Sequence, residues 1–207
     1  MVADAQDRAA LLTGIYAIAE DAAVARAALR AGVRIVQYRA KETFDPAHAH
    51  EIRAAAREYG ALFILNDRWR EIETYDADGV HVGPDDVPFS DLPRVRAAIG
   101  TRLLGVSAGT VEEALLASAA RADYLGTGSV HATASKADAG APIGLDGLRA
   151  VVRATALPVA AIGGITLADI PGVRASGAAM AAVISAISGA SEPYAAAAAL
   201  VKAWNGC

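Results

Sequence analysis

Lysine and carboxamide side chains are scarce in this chain of 207 residues, and most of those it has stand where a charged small molecule would need them. The lysines are Lys41, Lys136 and Lys202, and the carboxamides are Gln6, Gln37, Asn66 and Asn205; arginine carries the remaining positive charge. With the chain ends set aside, Gln37 and Lys41 close the apolar run that starts at Val33. Asn66 closes the run from Leu62, and Lys136 follows the run Tyr124 to Thr127. Side chains alternate faces along a strand, so Gln37, Arg39 and Lys41 project from one side. Two cations buried without a counter-charge are costly, and the run contains no carboxylate, which points to an anionic ligand. An ion pair with a distant carboxylate is the alternative.

Acidic groups add a second kind of chemistry. Asp67 follows Asn66, and Asp86 ends the segment Gly79-Val80-His81-Val82-Gly83-Pro84-Asp85-Asp86. Magnesium takes one or two carboxylates, keeps several waters and shares the oxygens of a substrate phosphate. Two aspartates from adjacent loops suit it, although each could instead cap a following helix. Ile162-Gly163-Gly164-Ile165 and Ile184-Ser185 offer a backbone that could approach a phosphate, with helix N–H groups behind it. A tight strand-to-helix turn is the plainer reading of the paired glycines.

The elements that must position these groups recur regularly. Apolar runs at Ile15 to Ala19, Val33 to Arg39, Leu62 to Asn66, Gly79 to Val82, Leu103 to Val106, Tyr124 to Thr127, Val159 to Ile162 and Ala179 to Ile184 read as strands. Asp21 to Ala31, Pro46 to Tyr59, Val111 to Arg121 and Leu145 to Ala154 read as helices between them. Ala195 to Ala199 reads as part of a C-terminal docking helix. Eight alternating units predict an α/β protein built as a single (β/α)8 TIM barrel over residues 1–207, with an open doubly wound sheet as the rival. In such barrels the chemistry lies at the C-terminal ends of the strands, and phosphate binds after the seventh and eighth. The Gly-Gly and Ile-Ser segments follow those two runs.

A net charge of -4 leaves no basic surface for nucleic acid or an anionic membrane. Cys207, the single cysteine, can form no internal disulfide, which fits a reducing cytoplasm. The first residues lack the basic start and apolar core of a secretion signal, and no apolar stretch is long enough to span a bilayer. The expected partners are small-molecule substrates, with a homo-oligomer possible. His48 and His50, two apart on a helix, do not face one another and offer no metal site.

Taken together, Gln37-Tyr38-Arg39-Ala40-Lys41, Asn66-Asp67, the Gly79 to Asp86 segment, Gly105-Val106-Ser107, Thr133-Ala134-Ser135-Lys136, Ile162 to Ile165 and Ile184-Ser185 resemble thiamine phosphate synthase. The order and spacing of these motifs carry the likeness from Tyr16 to Ser185. It implies a (β/α) barrel that joins 4-amino-2-methyl-5-hydroxymethylpyrimidine diphosphate to a thiazole phosphate, releasing diphosphate. By the same resemblance Gln37, Tyr38, Arg39, Ala40, Lys41, Asn66, Ser107 and Lys136 would hold the pyrimidine diphosphate. Asp67 and Asp86 would ligate Mg2+ as cofactor. Thr133, Ser135, Gly164, Ile184 and Ser185 would hold the thiazole phosphate, with Ala134 in the same loop. Lys136, Ser107, Arg39 and Lys41 would serve the chemical step. The implied mechanism is dissociative: diphosphate leaves, and the thiazole nitrogen captures the pyrimidine methylene cation.

Four positions depart from the family pattern. Glu20-Asp21 stands where Thr-Asp is usual, Ala40 replaces a glutamate, His131 an aromatic residue and Ser135 a threonine. Ser135 keeps the hydroxyl, and Ala40 falls on the outward face. The alternative function is a metal-independent thiazole tautomerase, which would have no diphosphate to hold; a non-catalytic sensor is a third, which no residue favours.

Overall fold

Strand alternation divides the apolar residues into two sets that never mix. The computed structural model describes residues 8–40, 43–133 and 141–206. Its strands are β1 (Gly14–Ala19), β2 (Ile35–Tyr38), β3 (Leu62–Asn66), β4 (Gly79–Val82), β5 (Leu103–Ser107), β6 (Tyr124–Thr127), β7 (Val159–Ile162) and β8 (Met180–Val183). Each pairs in parallel with the next, and β8 returns to β1, which closes the barrel. Tyr16, Ile18, Ile35, Leu62, Ile64, Leu103, Tyr124 and Met180 fill the interior. The alternate residues, among them Val36, Phe63, Leu65, Val80, Leu104 and Leu125, face the helices.

The helices are α1 (Ala22–Arg30), α2 (Pro46–Glu58), α3 (Leu92–Ile99), α4 (Val111–Ala119), α5 (Gly144–Ala154), α6 (Ile170–Ala175), α7 (Ser185–Ser188) and α8 (Pro193–Asn205). The expected helical segments appear as α1, α2, α4 and α5, the first three shortened at their ends and α5 starting one residue earlier, at Gly144. Asp21 accepts from Val24 N at 2.8 Å, so the departure at Glu20-Asp21 preserves the N-cap. Thr110 and Glu113 form a reciprocal capping box on α4. Strict alternation of strand and helix fails once. Between β3 and β4 only a 3-10 turn, Trp69–Glu71, forms, and the turns that follow it bury Ile72, Tyr75 and Ala77 against the outer core.

The outer layer supplies most of the stabilisation. Each fully buried side chain such as Phe63, Leu65 or Ile52 contributes roughly 1.5–3 kcal/mol, whereas an exposed pair such as Arg26–Glu58 contributes at most about 1 kcal/mol. Two aspartates nail the strand starts. Asp78 accepts from Phe63 N at 2.9 Å and pairs with Arg53 at 2.8 Å. Asp123 does the same with Leu104 N and Arg96, both at 2.7 Å. These devices sit at the N-terminal ends of β4 and β6 and leave the opposite rim free for chemistry.

Candidate active site

At the C-terminal rim the barrel opens into a cavity of about 400 Å3. Gln37, Arg39, Asn66, Asp67, Asp86, Ser107, Thr133, Gly164, Ile184 and Ser185 all line it. Barrel closure therefore brings residues that are far apart in sequence around one cavity. Tyr38 and Ala40 do not line the cavity. Alternation from Gln37 turns Tyr38 outward, where its ring meets Phe44 at 5.0 Å between centroids and its hydroxyl bonds the backbone of Asp45. Ala40 packs against the same outer layer. Lys41, Ala134, Ser135 and Lys136 lie outside the described residues.

Asp67 and Asp86 meet across the backbone of Gly83, whose N–H bonds the Asp67 carboxylate. Burial, and then the neighbouring charge of Asp86, raise Asp67 to about 6; Arg39 and the Asn66 amide act in the other direction. Neither aspartate caps a helix. Asp67 takes a positive φ of 60°, and the 3-10 turn after it has no side-chain cap. Among the described residues no group of three or more His, Cys, Asp or Glu gathers for a metal. A partly buried Asp67 and an exposed Asp86 that repel one another are the donor set a hard divalent cation would relieve while keeping water and ligand oxygens.

The loops after β7 and β8 form the opposite side. Gly163 and Gly164 have φ of 99° and 64°, and Ile184 leads into α7 with Ser185 as its first residue. Packing also demands these glycines. A Cβ on Gly163 would lie 2.6 Å from Ser129 Cα, and one on Gly164 2.6 Å from Ala132 O. The loop after β6 therefore rests directly on the Gly-Gly segment. His131 ties these loops further: its backbone N donates to Gly163 O at 3.0 Å, and its Nε2 lies 3.3 Å from Asp169. The charge of His131 helps the Thr166 hydrogen bonds hold Asp169 below its ordinary range, against burial, the largest influence, which pulls it up.

At the base of the cavity Tyr16, His81 and Tyr124, which motif reading did not assign to the site, join the expected Gln37 and Ser107 in one line of polar side chains. Gln37 Nε2 donates to Tyr16 OH at 2.6 Å, and the two hydroxyls of Tyr16 and Tyr124 lie 2.9 Å apart. Tyr124 OH is 3.3 Å from His81 Nδ1, and His81 Nε2 is 3.1 Å from Ser107 Oγ. Burial pushes both tyrosine hydroxyls well above their ordinary range, so they keep their protons. Enclosure in the barrel, and then the charge of Arg39, lower His81 to about 4. The signal in the sequence was the phase of the strands. Tyr16, His81 and Tyr124 occupy inward positions, and inward Gly105 and Gly126 leave the space their rings fill.

A cavity that joins paired aspartates, an arginine and two amide or hydroxyl donors to a glycine-rich loop at the rim of a small parallel barrel suits two anionic substrates. The family model described as thiamine monophosphate synthase matches residues 10–187. The chain belongs to that family. A thiamine-phosphate synthase of Caldivirga maquilingensis is 44% identical over 202 residues, 93% of this chain and 97% of the relative. One from Moorella thermoacetica is 46% identical over 178 residues, 83% and 82% of the two chains. The solved thiamine phosphate pyrophosphorylase of Pyrococcus furiosus superposes with a TM-score of 0.86 at 35% identity, covering 94% of this chain and 96% of that one. Membership of the thiamine monophosphate synthase family agrees with the resemblance carried by the motifs.

Proposed function

We infer that this chain is a thiamine-phosphate synthase, a transferase that condenses 4-amino-2-methyl-5-hydroxymethylpyrimidine diphosphate with thiazole phosphate. Curated relatives of that name match it across nearly their full length. The observation that carries the reading is the convergence of Arg39, Asn66, Asp67, Asp86 and Ser107 with the Gly164 and Ser185 loops on one cavity. The tautomerase alternative gains nothing from the relatives, and it has no diphosphate for the acidic side of the cavity to serve.

In the reaction the C–O bond between the pyrimidine methylene and the diphosphate breaks. The electron pair leaves with the diphosphate, and the thiazole nitrogen donates its pair to the methylene carbon. Arg39 and Asn66 orient the departing anion and stabilise its charge as it develops. Asp67 and Asp86 would hold Mg2+, which supplies positive charge to the diphosphate oxygens. The loops at Gly164 and Ser185 align the thiazole by its phosphate, converting a bimolecular encounter into a positioned attack. Lys41 and Lys136 belong to the same proposal through the family motifs that contain them. Among the described residues no helix is long and apolar enough to cross a membrane. A cytoplasmic location and self-association are also proposed. The lone Cys207 supports the first, and the exposed Val111, Leu115 and Leu116 of α4 support the second.

The deciding assay is direct. Purified protein with both substrates and magnesium yields thiamine phosphate and diphosphate, and omission of either substrate abolishes both products. Absence of thiamine phosphate from the complete mixture would overturn the assignment.

A further inference from the structure

Gln37, Tyr16, Tyr124, His81 and Ser107 are joined end to end, and counting protons along the line leaves one direction. The amide nitrogen of Gln37 has hydrogens only to give, so the Tyr16 oxygen accepts at 2.6 Å. Tyr16 is 1% exposed, and the other partner of its hydroxyl is Tyr124, at 2.9 Å. If Tyr124 donated there, the Tyr16 hydrogen would be buried without an acceptor, which is costly. Tyr16 therefore donates to Tyr124. The hydrogen of Tyr124, itself fully buried, is then directed to His81 Nδ1 at 3.3 Å. An Nδ1 that accepts leaves the imidazole hydrogen on Nε2, which faces Ser107 Oγ at 3.1 Å. Ser107 accepts that bond and keeps its own hydrogen for the cavity it lines. At the far end Gln37 also lines the cavity; one of its two amide hydrogens is given to Tyr16, and this fixed orientation of the amide presents its carbonyl oxygen as an acceptor for a ligand.

We propose that this oriented chain is a polarity filter for the pyrimidine ring, with Gln37 Oε1 the acceptor, Ser107 Oγ the donor, and Tyr16, Tyr124 and His81 positioning residues that act through them. The proposal rests on the assignment of this cavity to the pyrimidine diphosphate. An aminopyrimidine brings the complement: amino hydrogens to give and ring nitrogens to receive. A 4-oxo ring places a carbonyl where the amine stood and an N–H in the ring, so it meets the filter with the wrong sign. Reversing one end requires all five groups to reverse together, including the Gln37 amide and the His81 tautomer. The filter is therefore cooperative, and neither Gln37 nor Ser107 alone sets it. Gly105 and Gly126 are part of the device. A Cβ on Gly105 would lie 2.5 Å from His81 Nδ1, and one on Gly126 2.8 Å from His81 Cε1.

Two measurements test it. Nitrogen-15 NMR of the imidazoles, with His81 assigned through a His81→Asn variant, is expected to show a neutral ring with hydrogen on Nε2 in the free wild-type protein. Hydrogen on Nδ1, or a charged ring at neutral pH, overturns the proposal. Calorimetric binding of the amino and 4-oxo pyrimidine diphosphates, without the thiazole, is the second. Wild type is expected to prefer the amino ring by about tenfold or more, and Tyr124→Phe to narrow that preference to about threefold while inorganic diphosphate binds unchanged. An unaltered preference in a folded Tyr124→Phe protein overturns the filter; should that variant not fold, the NMR of wild type decides. If neither pyrimidine binds wild type more tightly than inorganic diphosphate, the filter falls with the substrate assignment it rests on. The tautomer measurement would then still report the direction of the chain, so the two failures are told apart.

Discussion

Gly105 owes its place to Tyr124: a methyl group on the glycine would lie 2.2 Å from the Cζ atom of the tyrosine on the neighbouring strand. The two are register partners across β5 and β6, and the ring leans over the glycine to reach Tyr16 and His81. Gly105→Ala therefore overpacks the interior. Its expected cost is about 1–3 kcal/mol, read as a lower midpoint in urea with an unchanged slope. A variant as stable as wild type would show that the ring has room to move.

Asp67 trades stability for function. The native carboxyl holds its proton to about 6, whereas the unfolded chain releases it near the ordinary value of 3.8. Between these values the native state binds more protons, so this group's contribution to stability falls as pH rises and stays low above pH 6. Asp67→Asn removes the penalty. At neutral pH without metal it is expected to gain about 1 kcal/mol, discounted from the full shift because the group is partly exposed, while losing most synthase activity. Thermal melts of the two proteins at acid and neutral pH check the sign, since the gain must vanish near pH 4.

Magnesium should bind in competition with that proton. Apparent affinity, measured by titration calorimetry with diphosphate present, is expected to fall about tenfold per pH unit below roughly pH 6. Excess EDTA should abolish turnover and added magnesium restore it. Full activity in EDTA would remove the metal from the proposed mechanism.

The two sides of the cavity should separate in kinetics. Ser185→Ala is expected to raise the KM for thiazole phosphate by about tenfold, the loss of one hydrogen bond to a charged group, with little change for the pyrimidine diphosphate. Asn66→Ala should do the reverse. Both variants weakening the same substrate would refute the division. Gly164 is unsuitable for this purpose, because any side chain there strikes Ala132 and His131 and disturbs the loop itself.

Sequence alone determined the repeating strands and the rim positions of Asn66, Asp67 and the Gly-Gly loop, because each depends on local pattern, while Ser107 came from the family resemblance. A period of two marks the strands, and a polar residue closing an apolar run marks a rim. The same period implied that Gln37 and Arg39 share a face and that Tyr38 does not. It also failed to supply a helix for residues 67–78, where local pattern is weak and only a 3-10 turn forms. Tertiary structure decided the rest. Tyr16, Gln37, His81, Ser107 and Tyr124 come from β1, β2, β4, β5 and β6, and no motif links them. They meet because closure of the barrel sets a register in which Gly105 and Gly126 stand beside large rings. The pairing of Asp67 with Asp86 over Gly83, and with it the raised carboxyl, likewise depends on the distance and burial that only the folded chain creates.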